Sequence, residues 1–247
     1  MSDLTGIGVG RGIAAGPVRR MPDPLPIPSE TLFAGDVEEA VANVHAAMKD
    51  VAGWLNERAT VAGPPAQGVL EAQALMADDP SLKKDIAQRI AKGSSPERAV
   101  YDAFRAFQVV LEGVGGYMAE RAADLADVSQ RLRAELSGVP APGVPESDEP
   151  YILVAHDLAP ADTALLDFTK VLGLVTREGG PTSHTAILAR AKSIPAVVGV
   201  VGAENLSDGT IVVVDAQDSS VRVGVDAATA SAAMLKREAW LEASHGP

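Results

Sequence analysis

The sequence predicts an α/β domain that is interrupted by an all-α helical bundle and followed by a C-terminal helix. Short apolar segments alternate with helical patterns after residue 150, which is typical of an α/β layer. Apolar residues recur at spacings of three and four over 29–137, which is typical of packed helices. Two Pro-rich segments, "MPDPLPIPSE" and "VPAPGVPESDEP", flank this helical region. We therefore expect the bundle to be an insertion between two parts of one α/β domain.

This division gives three parts. We expect residues 1–20 and 148–228 to form the α/β domain together. Residues 29–140 form the inserted helical subdomain, and residues 229–247 form a linker helix. Within the first part, "IAAGPV" at 13–18 predicts a short strand that joins the sheet of the later residues.

The helical region predicts about four helices. Its first helix carries apolar residues at helical spacing: Val37, Val41, Val44, Met48, Val51 and Leu55. Two shorter pieces follow and are divided at Asp79-Pro80. Ser95-Pro96-Glu97 opens another helix with proline at its first position, and Gly138 is typical of a helix C-cap.

The later region alternates strands and helices. The segments "YILVA", "VLGLVT" and "PAVVGV" predict buried strands, and "GTIVVVDAQDSSVRVGV" predicts a hairpin. The segments "APADTALLD" and "HTAILARAK" predict the helices between these strands. The final "ATASAAMLKREAWLEASHGP" has a helical pattern.

Composition and charge exclude several classes of protein. The chain has 47% hydrophobic residues but no apolar run as long as a membrane span. Its start, "MSDLTGIGVGRG", lacks the charged and apolar regions of a signal peptide, and there is no cysteine. The net charge of −12 opposes binding to nucleic-acid phosphates. We expect a cytoplasmic globular protein without disulfides or nucleic-acid partners.

The segment "GGPTSHTAILAR" places His184 at the mouth of a helix, behind a glycine turn. Gly179 and Gly180 permit backbone conformations closed to other residues and a close approach of a ligand. Thr182 and Ser183 are residue types that cap helix N-termini. The pattern therefore predicts a helix that begins beside His184.

This location suits a phosphoryl group. The first N–H groups of a helix have no acceptor inside the helix and attract anions. The hydroxyls of Thr182, Ser183 and Thr185 add donors, and a neutral imidazole can attack phosphorus. We expect His184 to accept a phosphoryl group at this turn. The competing interpretation is a histidine that only occupies a helix start, because short motifs match by chance.

Other catalytic schemes find no support in the sequence. The Gly-x-Ser-x-Gly elbow of serine hydrolases and the Walker motif are absent. The segment "GIGVGRG" does not follow a strand and open a helix, so dinucleotide binding is not predicted. His45, His156 and His245 are too scattered along the sequence to propose a metal site.

Several segments carry a resemblance to a known family. "GGPTSHTAILAR" followed by "SIPAVVG" resembles the phosphohistidine (swivelling) domain of enzymes that use phosphoenolpyruvate. Other segments resemble the N-terminal half of Enzyme I of the bacterial sugar phosphotransferase system: "GIGVGRGIAAGPV", "LEAQALMADDPSLKKDI", "ERAADLADVSQRL" and "VAHDLAPADTALLD". They cover nearly the whole chain in the family's order. The resemblance implies an α/β phosphohistidine domain with an inserted helical subdomain that docks the phosphocarrier HPr.

The resemblance also implies roles for individual residues. His184 aligns with the histidine that takes the phosphoryl group from phosphoenolpyruvate on Nε2 and passes it to HPr. Thr163 aligns with a threonine whose hydroxyl lies beside that histidine. Five residues align with the HPr-docking region: Glu71, Asp79, Leu82, Val110 and Arg121. On their own, such charged residues are usually solvated and such apolar residues usually belong to the core.

Three positions depart from the family pattern. Pro181 stands where an arginine often lies, which removes a cation close to the expected phosphoryl group. Gln73 stands where some members have a histidine close to the active site, and Arg11 replaces a proline of the N-terminal segment. None of these departures changes His184 itself.

The family continues into a C-terminal domain that binds phosphoenolpyruvate and Mg²⁺ and forms the dimer. We expect this chain to lack that domain, to be monomeric, to hold no cofactor and to be unable to react with phosphoenolpyruvate alone. The function implied by the resemblance is phosphoryl transfer from phosphoenolpyruvate to HPr, the first step of the sugar phosphotransferase system.

Two alternatives remain open. The chain could be the phosphotransfer domain of a related multi-domain protein, such as a dihydroxyacetone kinase phosphotransferase subunit or a phosphoenolpyruvate synthase-like protein. The helical insert and its "ERAAD" segment disfavour the synthase version. The chain could also be a non-catalytic HPr-binding module, but the intact turn around His184 argues against that function.

Overall fold

The computed structural model describes residues 2–64, 66–158, 162, 166–244 and 246 of the chain. The chain divides into two compact units, one made of Met1–Asp23 with Gly143–Pro247 and the other of Pro24–Pro142. The chain thus leaves the first unit once and returns to it once. This confirms the predicted fold class, an α/β domain with an inserted helical bundle.

The α/β unit is built on a sheet of eight strands, counted within the described residues. The strands are β1 (Leu4–Thr5), β2 (Ile7–Val9), β3 (Ile13–Arg20), β4 (Tyr151–Ala155), β5 (Val171–Thr176), β6 (Ala196–Val198), β7 (Ile211–Asp215) and β8 (Ser220–Val223). Their order is β1-β8-β7-β3-β4-β5-β6-β2. Strands β3 to β6 run parallel, and the other neighbours pair antiparallel. The N-terminal strand β3 lies between β7 and β4, so it joins the sheet of the later residues, as the sequence predicts.

The central strands are mostly apolar, which is typical of a sheet that is covered on both faces. All five residues of β4 are buried, which is typical of a strand in a parallel sheet. Helix α6 (His184–Lys192) covers one face and buries Ala186 and Ala189 there. The helix predicted from "APADTALLD" lies largely outside the described residues.

Close backbone packing explains the glycines of the N-terminal segment. A Cβ at Gly8 would lie 1.8 Å from the carbonyl oxygen of Ala216, and one at Gly6 would lie 2.5 Å from that of Val198. Both distances are far below van der Waals contact, so neither position can hold a side chain without movement of the backbone. The glycines of "GIGVGRG" thus serve the assembly of the sheet.

The C-terminal helix α7 (Ala227–Ser244) packs onto the sheet. The sequence predicts a linker helix over 229–247, and the role of this helix as a linker stays a prediction. Ala233 is buried in a cluster with Ala15 and Val213. The Ala15 N–H donates to the Met234 sulfur at 3.4 Å, and Arg237 Nη1 donates to the Leu172 carbonyl at 3.1 Å. Small residues on one face of the helix allow this close contact, so α7 is part of the α/β unit.

The second unit contains five helices within its described residues, where the sequence predicts about four. They are α1 (Val37–Ala62), α2 (Ala66–Ala77), α3 (Pro80–Ala91), α4 (Pro96–Val114) and α5 (Gly116–Ser137). Asp36, Asp79 and Ser95 cap α1, α3 and α4 by accepting a backbone N–H with their side chains. In the part of the chain that the structure describes, no helix is long and apolar enough to cross a membrane.

Side chains of α4 and α5 hold the Pro-rich segment that enters this unit. Arg98 Nη1 donates to the carbonyl of Pro28 at 2.7 Å, and Arg133 Nη2 donates to the carbonyl of Pro26. The Gln130 amide bonds both the N–H and the carbonyl of Leu25. Proline has no backbone N–H, so this segment offers mainly carbonyl acceptors, and long donor side chains supply their partners.

Candidate functional site

The candidate site lies in the turn between β5 and α6. Ser183 is the N-cap of α6, and its Oγ accepts the N–H of Ala186 at 3.3 Å. His184 follows as the first helical residue and is half-buried. The structure thus places this histidine at the N-terminus of a helix, where the sequence predicts it.

The glycines of the turn have different roles. Gly179 has φ +103°, and a Cβ there would lie 3.2 Å from the Ser183 hydroxyl. A Cβ at Gly199, beyond β6, would lie 3.1 Å from the Gly179 carbonyl oxygen. Side chains at these positions would therefore disturb the turn. Gly180 has open space around its missing Cβ, so packing does not require glycine there.

The hydroxyl groups of the motif do not all face the same way. Thr182 is exposed and Ser183 is half-buried, so both hydroxyls can reach a group bound at the helix start. Thr185 is 0% exposed, and its Oγ1 has no hydrogen-bond partner among the described residues. The expected contact between the Thr185 hydroxyl and a phosphoryl group therefore does not fit the structure, because this side chain points into the core. Thr163 lies outside the described residues, so its proximity to His184 stays a prediction.

Backbone and side-chain bonds tie the turn to the sheet and to α6. Thr176 donates its hydroxyl to the carbonyl of Glu178 at 2.7 Å, and its own carbonyl accepts the Val200 N–H at 2.9 Å. Arg190 Nη1 donates to the carbonyl of Pro181 at 2.8 Å. This last contact joins the body of α6 to the residues in front of His184.

The motif around His184 does not single out Arg190 as a functional residue. The available signal is its place within α6, because Cα–Cβ bonds in a helix tilt towards the N-terminus. A long side chain near the end of a short helix can therefore reach back to the turn that precedes it. Arg177, another cation of this region, contacts Glu204 at 3.2 Å and Glu178 at 3.8 Å.

The residues expected at a docking surface lie in different environments within the helical unit. Glu71 is exposed, and Val110 on α4 is 60% exposed. Asp79 is half-buried and caps α3 through the Leu82 N–H at 3.0 Å. Leu82 itself is 4% exposed, so it belongs to the core of the unit and offers almost no area to a docked protein.

Arg121 belongs to an ion pair of α5. Its Nη1 lies 3.0 Å from Asp124 Oδ2, and its guanidinium lies 4.8 Å from the centre of the Tyr117 ring. Burial raises the pKa of Asp124, and the charge of Asp127 raises it further, while Arg121 acts in the opposite direction. Arg121 therefore has a structural role, and its side chain is partly exposed as well.

Gln73 lies in a second polar cluster of this unit. It is 3% exposed, and its amide donates to Asp127 Oδ2 at 3.2 Å. The Nε of Arg131 donates to the same oxygen at 3.1 Å. The guanidinium of Arg131 in turn lies 4.7 Å from the centre of the Trp54 ring. Gln73 is thus a buried amide that donates to the partly exposed Asp127 carboxylate.

The helical unit exposes apolar side chains that the sequence analysis did not identify. On α2, α4 and α5 they include Leu75, then Phe107, Val109 and Val114, and then Tyr117 and Met118. Leu75 is 78% exposed because the buried stripe of α2 runs through Leu70, Ala74 and Ala77. The signal in the sequence was an apolar residue outside the helical stripe.

The described residues contain no group of three or more His, Asp or Glu side chains that could hold a metal ion. The chemistry available at the turn is that of an imidazole, helix-start amides and hydroxyls.

Comparisons with known proteins extend these observations. The family described as "PEP-utilising enzyme, N-terminal" matches residues 5–121, and "PEP-utilising enzyme, mobile domain" matches residues 147–219. The phosphoenolpyruvate-protein phosphotransferase of Streptomyces coelicolor is 51% identical over 99% of this chain and 45% of its own length. That of Bacillus subtilis is 34% identical over 98% of this chain and 43% of its own length. The chain therefore spans less than half the length of these relatives.

A solved structure matches nearly the whole length of the chain. The solution structure of Enzyme I (nEIt) is 31% identical, covers 96% of this chain, is itself covered over 99% of its length, and gives a TM-score of 0.78. Both parts of the fold, the α/β unit and the inserted helices, are thus found in one known protein.

Proposed function

The chain belongs to the Enzyme I family of phosphoenolpyruvate-protein phosphotransferases, and on that premise we propose that His184 carries a phosphoryl group between phosphoenolpyruvate and HPr. The observation that carries this proposal is the place of His184 as the first residue of α6, directly after the Ser183 cap. A helix N-terminus binds anions through its unpaired amides and its dipole. The imidazole is thus located where a phosphoryl group would be stabilised.

The proposed reaction is a nucleophilic exchange. A nitrogen lone pair of the His184 imidazole attacks phosphorus and forms a P–N bond. In the same step the bond to the leaving group breaks: the P–O bond of phosphoenolpyruvate, or the P–N bond of phospho-HPr in the reverse direction. Such transfer depends on positioning and electrostatic stabilisation more than on acid–base groups. The amides of α6 and the hydroxyls of Thr182 and Ser183 would supply that stabilisation.

The helical unit is the proposed docking site for HPr. Its exposed residues Glu71 and Val110 support the proposal, and the exposed apolar side chains of α2, α4 and α5 enlarge it. Interfaces of this kind combine apolar anchors with a polar rim. Leu82 is left out of the proposed surface because it is buried.

The proposal also concerns where phosphoenolpyruvate and Mg²⁺ bind. Because the chain spans less than half the length of the curated relatives, we place the sites for both in the part of those relatives that this chain does not match. The chain described would then exchange phosphate with HPr directly.

The test is phosphoryl transfer from phospho-HPr to the chain, which is detected by measuring the intact mass of the protein. We expect one added phosphate in the parent and in His156→Ala, and none in His184→Ala. His156 is a suitable control because it is an exposed histidine of the same unit. Phosphate on His184→Ala would contradict the proposal. HPr binding without any transfer would instead support the alternative of a non-catalytic binding module.

A further inference from the structure

The α/β unit contains a cavity lined by arginines at the C-terminal end of α6, and one of these arginines, Arg190, also reaches the turn before His184. The cavity measures about 530 Å³. Its lining consists of Gly10, Arg11, Arg190, Ser193, Trp240 and Ser244. Two arginines are thus among the lining residues, and none of these residues carries a carboxylate. In a chain with a net charge of −12, this is an unusual concentration of positive charge.

Two other cavities lined by described residues lack this combination. A cavity of about 680 Å³ in the helical unit is lined by three carboxylates and by no lysine or arginine. A cavity of about 360 Å³ under α7 places Arg222 and Lys236 beside Asp226. The larger cavity therefore has no positively charged side chain in its lining, and in the smaller one Asp226 partly offsets the positive charge.

Both arginines have donors to offer. Arg11 is exposed and has no hydrogen bond or ion pair within the described residues. Arg190 uses Nη1 on the Pro181 carbonyl, whereas a guanidinium has five N–H donors. Guanidinium groups bind phosphate oxygens with short, charge-assisted bonds. Two of them match the charge of a phosphate dianion.

The lining also offers an apolar surface. Trp240 is half-buried and packs against Gly12, where a Cβ would lie 3.6 Å from the indole. Trp240 also lines the cavity, together with Ser193 and Ser244. The volume falls in the range of small-molecule sites, which combine apolar surface with few polar groups.

From these observations we propose that the Arg11–Arg190–Trp240 cavity binds a small phosphate-bearing molecule. The bound phosphate competes with the Pro181 carbonyl for Arg190. A charged acceptor forms the stronger hydrogen bond, so Arg190 moves from the neutral carbonyl to the phosphate. The turn in front of His184 then loses its bond to the body of α6. Occupancy of the cavity therefore slows phosphoryl transfer, and this regulatory consequence rests on the proposed function of His184.

Binding is tested with inorganic phosphate as the probe, at constant ionic strength, with sodium chloride as the reference. The chain has two tryptophans, so Trp54→Phe isolates the fluorescence of Trp240. We expect a saturable fluorescence change that persists in Trp54→Phe and is lost in Trp240→Phe. Arg11→Ala should weaken the affinity at least about tenfold, because a charge-assisted bond is lost. Arg222→Ala, a cation of the neighbouring cavity, should leave the affinity unchanged.

The effect of the cavity on the turn before His184 can be measured without phosphoryl transfer. Phosphate should shift the backbone amide resonances of Thr182 and Ser183 in the parent, and the shifts should be much smaller in Arg11→Ala at the same concentration. Arg11→Ala also excludes direct binding at the helix start, because Arg11 is not part of that turn. Equal shifts in both proteins would overturn the coupling.

The last experiment measures the rate of phosphoryl transfer from phospho-HPr to the chain at increasing concentrations of inorganic phosphate. We expect the rate to fall in the parent and to stay constant in Arg11→Ala. Fluorescence that never saturates, or that responds equally to chloride, would overturn the site itself. If the chain binds phosphate saturably but accepts no phosphoryl group at His184, the binding site in the cavity is supported. The proposed function of His184 is then refuted. A rate that rises with phosphate would contradict the competition for Arg190.

Discussion

In the α/β unit backbone geometry places the candidate catalytic residue, whereas in the helical unit side-chain packing decides which candidate residues are available. His184 follows a turn fixed by Gly179, Gly199 and the Ser183 cap. Val110 is available to a partner only because α4 turns it away from the core. Local sequence can specify the first kind of site. The second kind depends on how helices meet, so single substitutions should affect the two units in different ways.

The largest contrast is expected for glycine-to-alanine substitutions. Gly8→Ala should lower the free energy of unfolding by about 3 kcal/mol or more, because the new Cβ would overlap the Ala216 carbonyl. Gly53→Ala, in the middle of α1 with open space around it, should raise it by about 0.5–1 kcal/mol. Urea denaturation of both variants measures the two effects. Similar changes in the free energy of unfolding of the two variants would contradict the proposed difference between the two units.

Leu82 and Val110 should separate stability from binding. Leu82→Ala should lower the free energy of unfolding by about 2–4 kcal/mol because it leaves a cavity, with unchanged affinity of the folded protein for HPr. Val110→Asp should leave stability almost unchanged but weaken HPr binding by about tenfold or more. Calorimetric titration with HPr checks both, with Val61→Asp on α1 as the exposed control. If Leu82→Ala binds HPr more weakly than the parent, Leu82 contributes to the docking surface and its exclusion from that surface is wrong.

A smaller effect is expected when helix caps are removed. Ser183→Ala and Ser95→Ala each remove a side-chain acceptor for a backbone N–H, which costs about 1 kcal/mol of stability. Only Ser183→Ala should also slow transfer from phospho-HPr, because Ser183 directly precedes His184, whereas Ser95 caps the end of α4 that is remote from Val110. Unfolding and transfer assays on both variants test this. An equal loss of transfer in Ser95→Ala would mean that the cap of α6 has no special role.

The smallest effect concerns pH. Burial raises the pKa of Asp124 above its unfolded value, so between the two pKa values the folded protein binds more protons than the unfolded chain. This contribution to stability is fully present below the unfolded pKa and is lost as the pH rises through the folded pKa. Asp124→Asn should therefore gain stability relative to the parent as the pH rises from acid to neutral. Urea denaturation at several pH values measures the difference, and a constant difference would contradict the direction of the shift.

The same contrast explains what could be predicted from the sequence. The start of α6, its Ser183 cap and the strands of the central sheet follow from local residue types, so the sequence sufficed for them. The burial of Thr185 and Leu82 and the exposure of Leu75 follow from contacts between elements, and residue type alone does not fix them. In particular, Leu75 and Leu82 are both leucines of helices in one unit, yet they are 78% and 4% exposed.

Contacts between distant residues were also beyond the sequence pattern. The bond from Arg190 to Pro181 depends on the path of a long side chain back along α6. The packing of α7 on β3 depends on Ala233 and Met234 meeting a face of the sheet that only the fold creates. These contacts make a linker-like segment into part of the α/β unit and bring a cation to the His184 turn.

The most direct test of the central claim is to locate the phosphate after incubation with phospho-HPr. A ³¹P–¹H correlation spectrum of the phosphorylated chain, with His184→Ala as reference, identifies the imidazole that holds it. The account predicts one phosphate bound to an imidazole nitrogen of His184. A phosphate on any other residue would contradict it.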